Sequence, residues 1–342
     1  MARTKLRRPS PSTDNVADTP TPHPRITISV VIPSYDGAAY IRDTIASILH
    51  QTVLPDEIIV VDDCSRDGTV TTVQDLARTA AAPIHVLRMR RNSGGPAKPI
   101  NAGVEAATSD LIAVLEQDDR LTPIRIARSL EAAKLLPSAG LICGRVRMRS
   151  STGSVRDDLW KDGRLQFADL SLTPIAPSIY RAESADLLLS LLQRNIVFTN
   201  SNAVFPRSIW KRVGGFDPKY PICADLDFNL KVARVSPFVV IDDVLCEYHQ
   251  RHDGLYNRNV ALAGHSPAHL EAAFIRMRHA LHNYGSSSEV ADEWYWEGRY
   301  LLTSAWRRHD WKRGYSILCA LCSSGALQNR AIKKLRRMVA SI

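Results

Sequence analysis

Apolar runs alternate with amphipathic segments along the first third of the chain. Helical spacing marks residues 38–51, 69–80 and 99–107, and Thr122-Pro123 opens a further helix. Four continuous apolar runs predict buried strands: ITISVVI (26–32), EIIVV (57–61), IHVLRM (84–89) and LIAVL (111–115). Strands that alternate with helices predict an α/β fold with a mainly parallel sheet flanked by helices. Continuous apolar strands are typical of a sheet buried on both faces.

A polar cluster follows each predicted strand. The clusters are Ser34-Tyr35-Asp36, Asp62-Asp63, Asn92 and Glu116–Asp119. In an open α/β sheet, ligands bind outside the carboxyl ends of the strands, so the four clusters predict one shared site. The last cluster places Glu116, Asp118 and Asp119 within four positions, where their charges repel one another. Carboxylate oxygens are the ligands of hard divalent cations, so this cluster indicates a metal.

Several familiar sites are excluded by their missing signatures. The turn after the first strand has no G-x-G-x-x-G, and the chain has no G-x-x-x-x-G-K-[ST] or G-x-S-x-G. These absences exclude a standard dinucleotide fold, a P-loop and a serine hydrolase. No apolar run approaches the ~20 residues of a membrane-spanning helix. Residues 1–25 lack an apolar stretch and are expected to be a disordered basic tail rather than a secretory signal.

The net charge of +9 is carried by the two ends of the chain. Residues 1–25 contribute +3 and residues 299–342 contribute +9, so the middle is slightly acidic. A solvated helix face and peripheral contact with an anionic membrane remain alternatives for the basic C-terminal end. Nothing in the core indicates nucleic acid as a partner. Six scattered cysteines are typical of a reducing compartment, which predicts a cytoplasmic location.

Several ordered motifs together resemble those of the family-2 inverting glycosyltransferases. They lie at 30–69, 91–119, 213–233 and 248–254. The resemblance implies a GT-A fold over 26–255, with a nucleotide-binding half (26–119) and an acceptor-side half (120–255). Residues 256–342 would then form a C-terminal helical region. The family's activity is transfer of a sugar from a nucleotide diphosphate sugar to an acceptor hydroxyl, with inversion at the anomeric carbon.

The resemblance also implies a nucleotide-binding set. Asp63 would accept a hydrogen bond from the imide N–H of uracil or thymine, supported by Asp62, which favours UDP or dTDP. Capping of the next helix is the alternative role for these two acids. Pro33 and Tyr35 would shape the base pocket. The other expected members of the set are Asp36, Asn92, Gly94, Lys98 and Asp118.

A divalent cation, Mg²⁺ or Mn²⁺, is implied on the diphosphate. Asp118 and Asp119 match the family's acidic motif and are the expected ligands. Glu116 occupies a place where the family usually has Asp, so its part in the metal site is open. His252 matches a family histidine that would complete the metal shell or touch the diphosphate. The nearby Arg251 could pair with phosphate oxygens.

Asp225 is the expected general base, which takes the proton of the acceptor hydroxyl. The intact Gly214-Gly215-Phe216-Asp217 run precedes it. The family often has a Glu-Asp pair at this point, whereas this chain has Ala224-Asp225. Asp227 shares the face of Asp225 on a strand and points away from it on a helix. The sequence leaves that choice open, and it leaves a helix N-terminal role for Asp225 as the alternative.

Two other functions remain as alternatives. A catalytically inactive sugar-nucleotide-binding subunit is favoured by Glu116 and Ala224, which depart from the family pattern. A sugar nucleotidyltransferase would need a Gly-rich loop with Arg after the first strand, and PSYDGAAY (33–40) lacks it. The sugar, the acceptor and the oligomeric state are not predicted.

Overall fold

The structure is a computed structural model that describes residues 25–150, 155–156, 167, 170–251 and 267–284. The helices in this part of the chain are α1 (Ile41–Leu49), α2 (Thr69–Ala77), α3 (Ala97–Ala106), α4 (Arg125–Leu135), α5 (Ser184–Gln193), α6 (Arg207–Val213), α7 (Ala224–Ala233) and α8 (Pro267–Tyr284). A 3₁₀ turn at Asn200–Asn202 lies beside the sheet.

Eleven strands of the described residues form one sheet. They are β1 (Ile28–Ser34), β2 (Glu57–Asp62), β3 (Ile84–Arg88), β4 (Leu111–Val114), β5 (Arg120–Leu121), β6 (Leu141–Ser150), β7 (Val155–Arg156), β8 (Leu172–Ala176), β9 (Ile179–Ala182), β10 (Val204–Pro206) and β11 (Phe238–Gln250). The main path is β3-β2-β1-β4-β10-β6-β11-β9-β8, while β5 pairs with β11 and β7 with β6.

The parallel half of the sheet confirms the predicted α/β order. Strands β3, β2, β1 and β4 pair in parallel, each at the place of a predicted apolar run. Alternate residues of β1 enter separate cores: Val31 packs into one, and Val30 and Ile32 into the other. The continuous apolar run therefore serves a sheet that is buried on both faces.

The second half of the sheet is mixed. β10 is antiparallel to both β4 and β6, whereas β11 runs parallel to β6 over ten paired positions with two register shifts. β11 ends at Gln250 and brings the 248–251 segment to the rim where β1, β2 and β4 end. The second half thus completes the rim that the first four strands begin.

Close packing of α3 depends on a glycine. A Cβ added at Gly103 would lie 2.4 Å from Val31 Cγ1 and 3.0 Å from Val61 Cγ2. Glycine therefore lets α3 rest directly on β1 and β2, and this fixes the turn that joins β3 to α3.

Several expectations concern segments outside the described residues. They include the basic tail before residue 25, the 252–266 segment with His252, and the basic end beyond residue 284. The helix α8 agrees with the helical pattern expected in the C-terminal region. Within the described residues, every helix is too short or too polar to cross a bilayer.

Candidate active site

A cavity of about 1310 Å³ opens at the carboxyl ends of β1, β2 and β4. All four predicted polar clusters contribute to its wall. The predicted residues on the wall are Pro33, Tyr35, Asp36, Asp63, Asn92, Gly94, Glu116, Asp118, Asp119 and Asp225. Parallel strands bring their carboxyl ends to one edge, and α7 adds Asp225, so these acids line one cavity although up to 189 positions separate them.

Asp63 is held by the turn that follows β3. Ser93 donates its backbone N–H to both carboxylate oxygens, at 2.9 and 3.1 Å, and its hydroxyl to Oδ2 at 2.9 Å. Asn92 donates to the Asp63 carbonyl at 3.1 Å, and Gly94 adopts a φ of +83°. Burial raises the pKa of Asp63, and the Ser93 bonds oppose the shift. The carboxylate oxygens keep lone pairs for a ligand N–H.

Asp62 lies behind Asp63. It is fully buried and accepts from Ser65 N–H at 3.3 Å and from Arg88 Nε at 3.2 Å. Asp67, rather than Asp62 or Asp63, receives the Thr69 N–H at the start of α2. The expected alternative of helix capping by Asp62-Asp63 is therefore wrong in the described geometry, while the supporting role of Asp62 stays a prediction.

The turn after β1 is fixed by Gln117, which the sequence analysis did not select. Gln117 Oε1 accepts from Ser34 Oγ at 2.7 Å and from Tyr35 N–H at 2.9 Å, and its Nε2 donates to the Tyr35 carbonyl at 3.0 Å. Asp36 has a φ of +47° and accepts from Arg66 N–H at 2.8 Å. Tyr35 is 41% exposed, so its ring is available to a ligand.

Lys98, an expected nucleotide-binding residue, is solvent-exposed on α3. Its positive charge opposes the rise that burial causes in the pKa of Asp63.

Glu116 is tied to the 3₁₀ turn. Its Oε1 accepts from Asn200 Nδ2 at 2.8 Å, and its backbone N–H donates to Ser201 Oγ at 3.0 Å. Burial, together with the charge of Asp118, raises the pKa of Glu116 to about 8. The hydrogen bond from Asn200 orients Glu116 at the 3₁₀ turn, and a divalent cation bound nearby would lower the pKa of its carboxyl.

Asp118 faces the cavity and pairs with Arg251. Arg251 Nη1 lies 3.1 Å from Asp118 Oδ2, and the guanidinium also stacks over the Tyr40 ring at 4.2 Å from its centroid. A cation is therefore already placed against the carboxylate that the sequence assigns to the metal.

Asp119 is buried and engaged by protein donors. Its Oδ2 accepts from Ser201 Oγ at 2.5 Å, and its Oδ1 accepts from His249 N–H at 2.8 Å. Burial, with the neighbouring charge of Asp118, raises the pKa of Asp119 well above its usual range. Burial lowers the pKa of His249, which favours a neutral imidazole beside the cavity.

A divalent cation fits this donor set through Asp118. Mg²⁺ commonly binds one or two carboxylates and completes its shell with substrate phosphates and water. In the described part of the chain, no group of three His, Cys, Asp or Glu residues forms a preassembled metal cage. Such an ion would bind together with a diphosphate, and the metal role of His252 lies outside the described residues.

Asp225 lies in the first turn of α7 and lines the cavity. Its Oδ2 accepts from Asn195 Nδ2 at 2.6 Å. Burial raises the pKa of Asp225 to about 6, with Glu271 adding and Asn195 opposing. A carboxylate with a pKa near 6 is ionised at neutral pH and is a stronger base than an ordinary Asp.

The helix settles the position of Asp227, which faces away from the cavity. Asp227 is 1% exposed, accepts from His279 Nε2 at 2.9 Å and pairs with Lys231 Nζ at 2.9 Å. Of the two acids in this motif, only Asp225 therefore lines the site.

Two glycine-containing turns bring the first half of the fold (26–119) against the second half (120–255). Asn101 on α3 donates to the Phe216 carbonyl at 2.7 Å and accepts from Phe216 N–H at 3.0 Å, which anchors the GGFD turn. A Cβ at Gly95 would lie 2.6 Å from the Pro221 carbonyl oxygen. The turn after β3 thus touches the loop that leads into α7.

Sequence reasoning missed the amides and hydroxyls that hold the rim of the cavity, which are Ser93, Gln117, Asn195, Asn200 and Ser201. It also missed Glu271, a buried carboxylate that accepts from the backbone before α7. The NSN run at 200–202 is a polar island between apolar neighbours, which is a usable signal for a buried polar turn. Asn195 and Glu271 have no local signal, because their partners lie 30 and 48 positions away.

Comparison with known proteins agrees with this geometry. A family model described as Glycosyl transferase family 2 matches residues 29–212. The chain is 38% identical over 104 residues to the putative teichuronic acid biosynthesis glycosyltransferase TuaG of Bacillus subtilis, a match that covers 30% of this chain and 40% of TuaG. It is 38% identical over 109 residues to the succinoglycan biosynthesis protein ExoO of Rhizobium meliloti, covering 31% and 29% of the two chains.

A longer match is weaker in identity. The chain is 25% identical over 224 residues to the uncharacterized glycosyltransferase RT0329 of Rickettsia typhi, covering 64% of this chain and 62% of RT0329. The chain therefore spans less than two thirds of each of these curated relatives. Among solved structures, S. aureus TarS 1-349 in complex with UDP-GlcNAc aligns with a TM-score of 0.56 and 20% identity, over 81% of this chain and 71% of that chain. This likeness confirms the expected GT-A-type fold.

Proposed function

The chain belongs to glycosyl transferase family 2, and from this premise we propose that it transfers a sugar from a nucleoside diphosphate sugar to an acceptor hydroxyl with inversion. One observation carries the proposal: a single cavity is lined by Asp63 after β2, Asp118 after β4 and Asp225 on α7. We assign these three acids to the base, the diphosphate and the acceptor of such a reaction.

The donor half of the cavity fits a pyrimidine nucleotide. The Asp63 carboxylate accepts an imide N–H of uracil or thymine, and the exposed Tyr35 ring offers a stacking face. Gly94 lets the backbone approach the nucleotide, because it carries no Cβ and the space beside it is open, whereas the same space at Gly95 is taken by Pro221. The solved TarS complexes contain UDP and UDP-GlcNAc, which supports the choice of UDP-sugars as the first donors to test.

Asp118 would hold a Mg²⁺ or Mn²⁺ ion on the diphosphate, and the bound ion would stabilise charge on the departing nucleoside diphosphate. Arg251, which pairs with Asp118 in this structure, is within reach of the same phosphate oxygens once a cation takes its place on Asp118.

Asp225 acts on the acceptor. Its carboxylate takes the hydroxyl proton as the acceptor oxygen attacks the anomeric carbon from the face opposite the nucleotide. The new C–O bond forms as the bond between the anomeric carbon and the phosphate oxygen breaks, which inverts the configuration. Asn195 keeps the carboxylate oriented during the proton transfer. The names of TuaG and ExoO support a role in polysaccharide biosynthesis.

The test is a panel of UDP-, dTDP- and GDP-sugars with the full chain. Thermal shift with and without Mn²⁺ reports binding, and release of nucleoside diphosphate reports turnover. Asp118→Ala should abolish metal-dependent turnover, and Asp225→Asn should keep donor binding but lose transfer. Asp75→Ala, an exposed acid on α2, is the matched control.

A second function has one observation in its favour. Glu116 Oε1 already accepts from Asn200 at 2.8 Å, which leaves this side chain less capacity to bind a metal, as an inactive binding subunit would allow. Nucleotide-sugar binding without nucleotide release from any donor or acceptor would favour this function. Turnover that Asp225→Asn removes would exclude it.

A further inference from the structure

Glu271 on α8 contacts the backbone that leads into the helix of Asp225. Its Oε1 accepts from the N–H groups of Ile222 at 2.9 Å and Cys223 at 2.7 Å. The residue is 3% exposed, so these bonds lie in a buried interface. Ala224 begins α7 directly after them, and Asp225 is the second residue of that helix.

The two hydrogen bonds to Glu271 satisfy backbone N–H groups at the start of α7. The first N–H groups of a helix have no partner within it and are normally served by a capping side chain. Cys223, at the N-cap of α7, makes no side-chain cap bond among the described contacts. A carboxylate from a different helix therefore satisfies backbone donors at this end, where the helix dipole also favours negative charge.

The rest of α8 is joined to the same region. His279 bonds to Asp227, Arg278 Nη1 donates to Tyr220 Oη at 2.9 Å, and Cys223 Sγ lies 3.6 Å from the Ala268 carbonyl oxygen. These contacts hold α8 against both α7 and the loop before it, so Glu271 has a fixed position.

The opposite side of this loop faces the nucleotide half. Pro221 packs against Gly95 so closely that a Cβ would reach its carbonyl oxygen. The segment Pro221–Cys223 is thus held between Glu271 on one side and the turn after β3 on the other. A shift of this segment would move Asp225 relative to a bound donor.

We propose that Glu271 is a positioning residue for sugar transfer, which fixes the Pro221–Cys223 segment and thereby the place of the Asp225 carboxylate beside the donor. The inference rests on the proposed function, in which Asp225 is the general base. It assigns a catalytic task to the C-terminal helix, which lies beyond the 29–212 family match.

The role of Glu271 in positioning the segment can be tested separately from the effect of its charge on Asp225. Glu271 and Glu116 are the acids that interact with Asp225, Asn195 is its neutral donor, and Arg276 of α8 lines the same cavity. Both of these bonds use a single Glu271 oxygen, so Glu271→Gln can keep them through its amide oxygen while it loses the charge. Glu271→Ala loses both the bonds and the charge.

The experiment measures nucleotide release by the full chain, with the panel donor that turns over fastest and water or a supplied sugar as acceptor. Glu271→Ala should lower kcat by about 10- to 100-fold with an unchanged donor KM, because a displaced base slows only the chemical step. Glu271→Gln should keep kcat and move the acid limb of the pH profile to lower pH. Glu105→Ala, an exposed glutamate on α3, is the matched control.

Hydrogen exchange at the amides of Ile222 and Cys223 is a second readout that requires no activity. Exchange should accelerate in Glu271→Ala and stay slow in Glu271→Gln. If Glu271→Ala does not fold, Glu271→Asp keeps the charge on a shorter arm and should lose kcat in the same way.

Wild-type kcat in Glu271→Ala, or in Glu271→Asp if the alanine variant does not fold, would overturn the inference, and so would a rise in KM alone. A wild-type chain that releases no nucleotide from any donor would instead contradict the proposed function. In that case unchanged amide exchange in Glu271→Ala would overturn the positioning role, and faster exchange would support it.

Discussion

The amide of Asn195 and the carboxylate of Asp225 form a hydrogen bond of 2.6 Å across the junction of α5 and α7. Asn195 is itself held, because its Oδ1 accepts from Phe198 N–H at 3.3 Å and from Asn229 Nδ2 at 3.4 Å. The proposed base therefore has one orientation, and the donated N–H stabilises its ionised form against the effect of burial.

Asn195→Ala should raise the pKa of Asp225 and slow transfer. A hydrogen bond to a charged group contributes about 1.5 kcal/mol, so the acid limb of the kcat profile should move up by about one pH unit. The measurement is nucleotide release between pH 5 and 9. Gln193→Ala, an exposed neighbour at the end of α5, should leave the limb in place. An unchanged limb in Asn195→Ala would show that Asn195 does not act on the base.

The parallel half of the fold could be predicted because its signals are local. Val30, Val31 and Ile32 are consecutive apolar residues that face two cores, and this pattern predicts a doubly covered strand. β10 could not be predicted, because three residues carry no periodicity and its place between β4 and β6 depends on pairing with distant strands.

The site, like the fold, was predictable where its signals are local. Asp63 and Asp118 follow strands directly, so the strand order alone places them on the rim. Asn200 and Glu116 are 84 positions apart, and nothing in their neighbourhoods indicates that they meet. The helical form of the Asp225 segment was also open, because both a helix and a strand suit ADLDFNL (224–230).

Asp225→Asn should remove the base and spare the donor site. Loss of a general base costs about 10²- to 10⁴-fold in rate, whereas donor affinity should hold because the proposed donor contacts do not involve Asp225. In the wild type, kcat should fall as pH drops through about 6, since protonated Asp225 cannot accept the acceptor proton. This limb should be absent from the residual activity of Asp225→Asn. A variant with wild-type kcat would exclude Asp225 as the base.

Asp118→Asn should uncouple metal from nucleotide. In the wild type, the rise in Tm with Mn²⁺ and UDP together should exceed the sum of the rises with each added alone. The diphosphate oxygens serve as ligands of the ion, so each of the two strengthens the binding of the other. In the variant this excess should disappear, together with metal-dependent turnover. Asp75→Asn should keep both. An excess that survives in Asp118→Asn would place the ion on another residue.

Gly94 and Gly95 give a matched pair of substitutions. Gly94→Ala introduces a side chain at a φ of +83° but into open space, so it should cost about 1–2 kcal/mol of stability from backbone strain. Gly95→Ala would place a Cβ 2.6 Å from the Pro221 carbonyl, so the turn and the loop must separate. We expect Gly95→Ala to lower kcat far more than Gly94→Ala does. Urea unfolding and nucleotide release measure the two effects, and equal losses of kcat would contradict the contact.

Asp227 should make the stability of the α7–α8 interface depend on pH. Burial opposes ionisation, but the His279 hydrogen bond and Lys231 hold the pKa of Asp227 below its usual value of about 4. The ionised carboxylate therefore stabilises the fold above that value, and this contribution is lost as pH falls through the lowered pKa. Asp227→Asn should cost about 1–3 kcal/mol at pH 7 by breaking the pair with Lys231.

The difference in unfolding free energy between wild type and Asp227→Asn should shrink as pH drops from 5 to 3. Burial also lowers the pKa of His279, so both proteins should lose stability below about pH 6.5, where the unfolded histidine takes up a proton. Asp227 opposes the lowering of the His279 pKa through its hydrogen bond and charge, so Asp227→Asn should lose more stability than the wild type between pH 7 and 5. Urea titrations at pH 7, 5 and 3 separate this effect from the loss of the Asp227 charge contribution, which appears between pH 5 and 3. Asp75→Asn on the exposed face of α2 should follow the wild type. A difference that is equal at all three pH values would mean that Asp227 stabilises the interface through shape rather than through its charge.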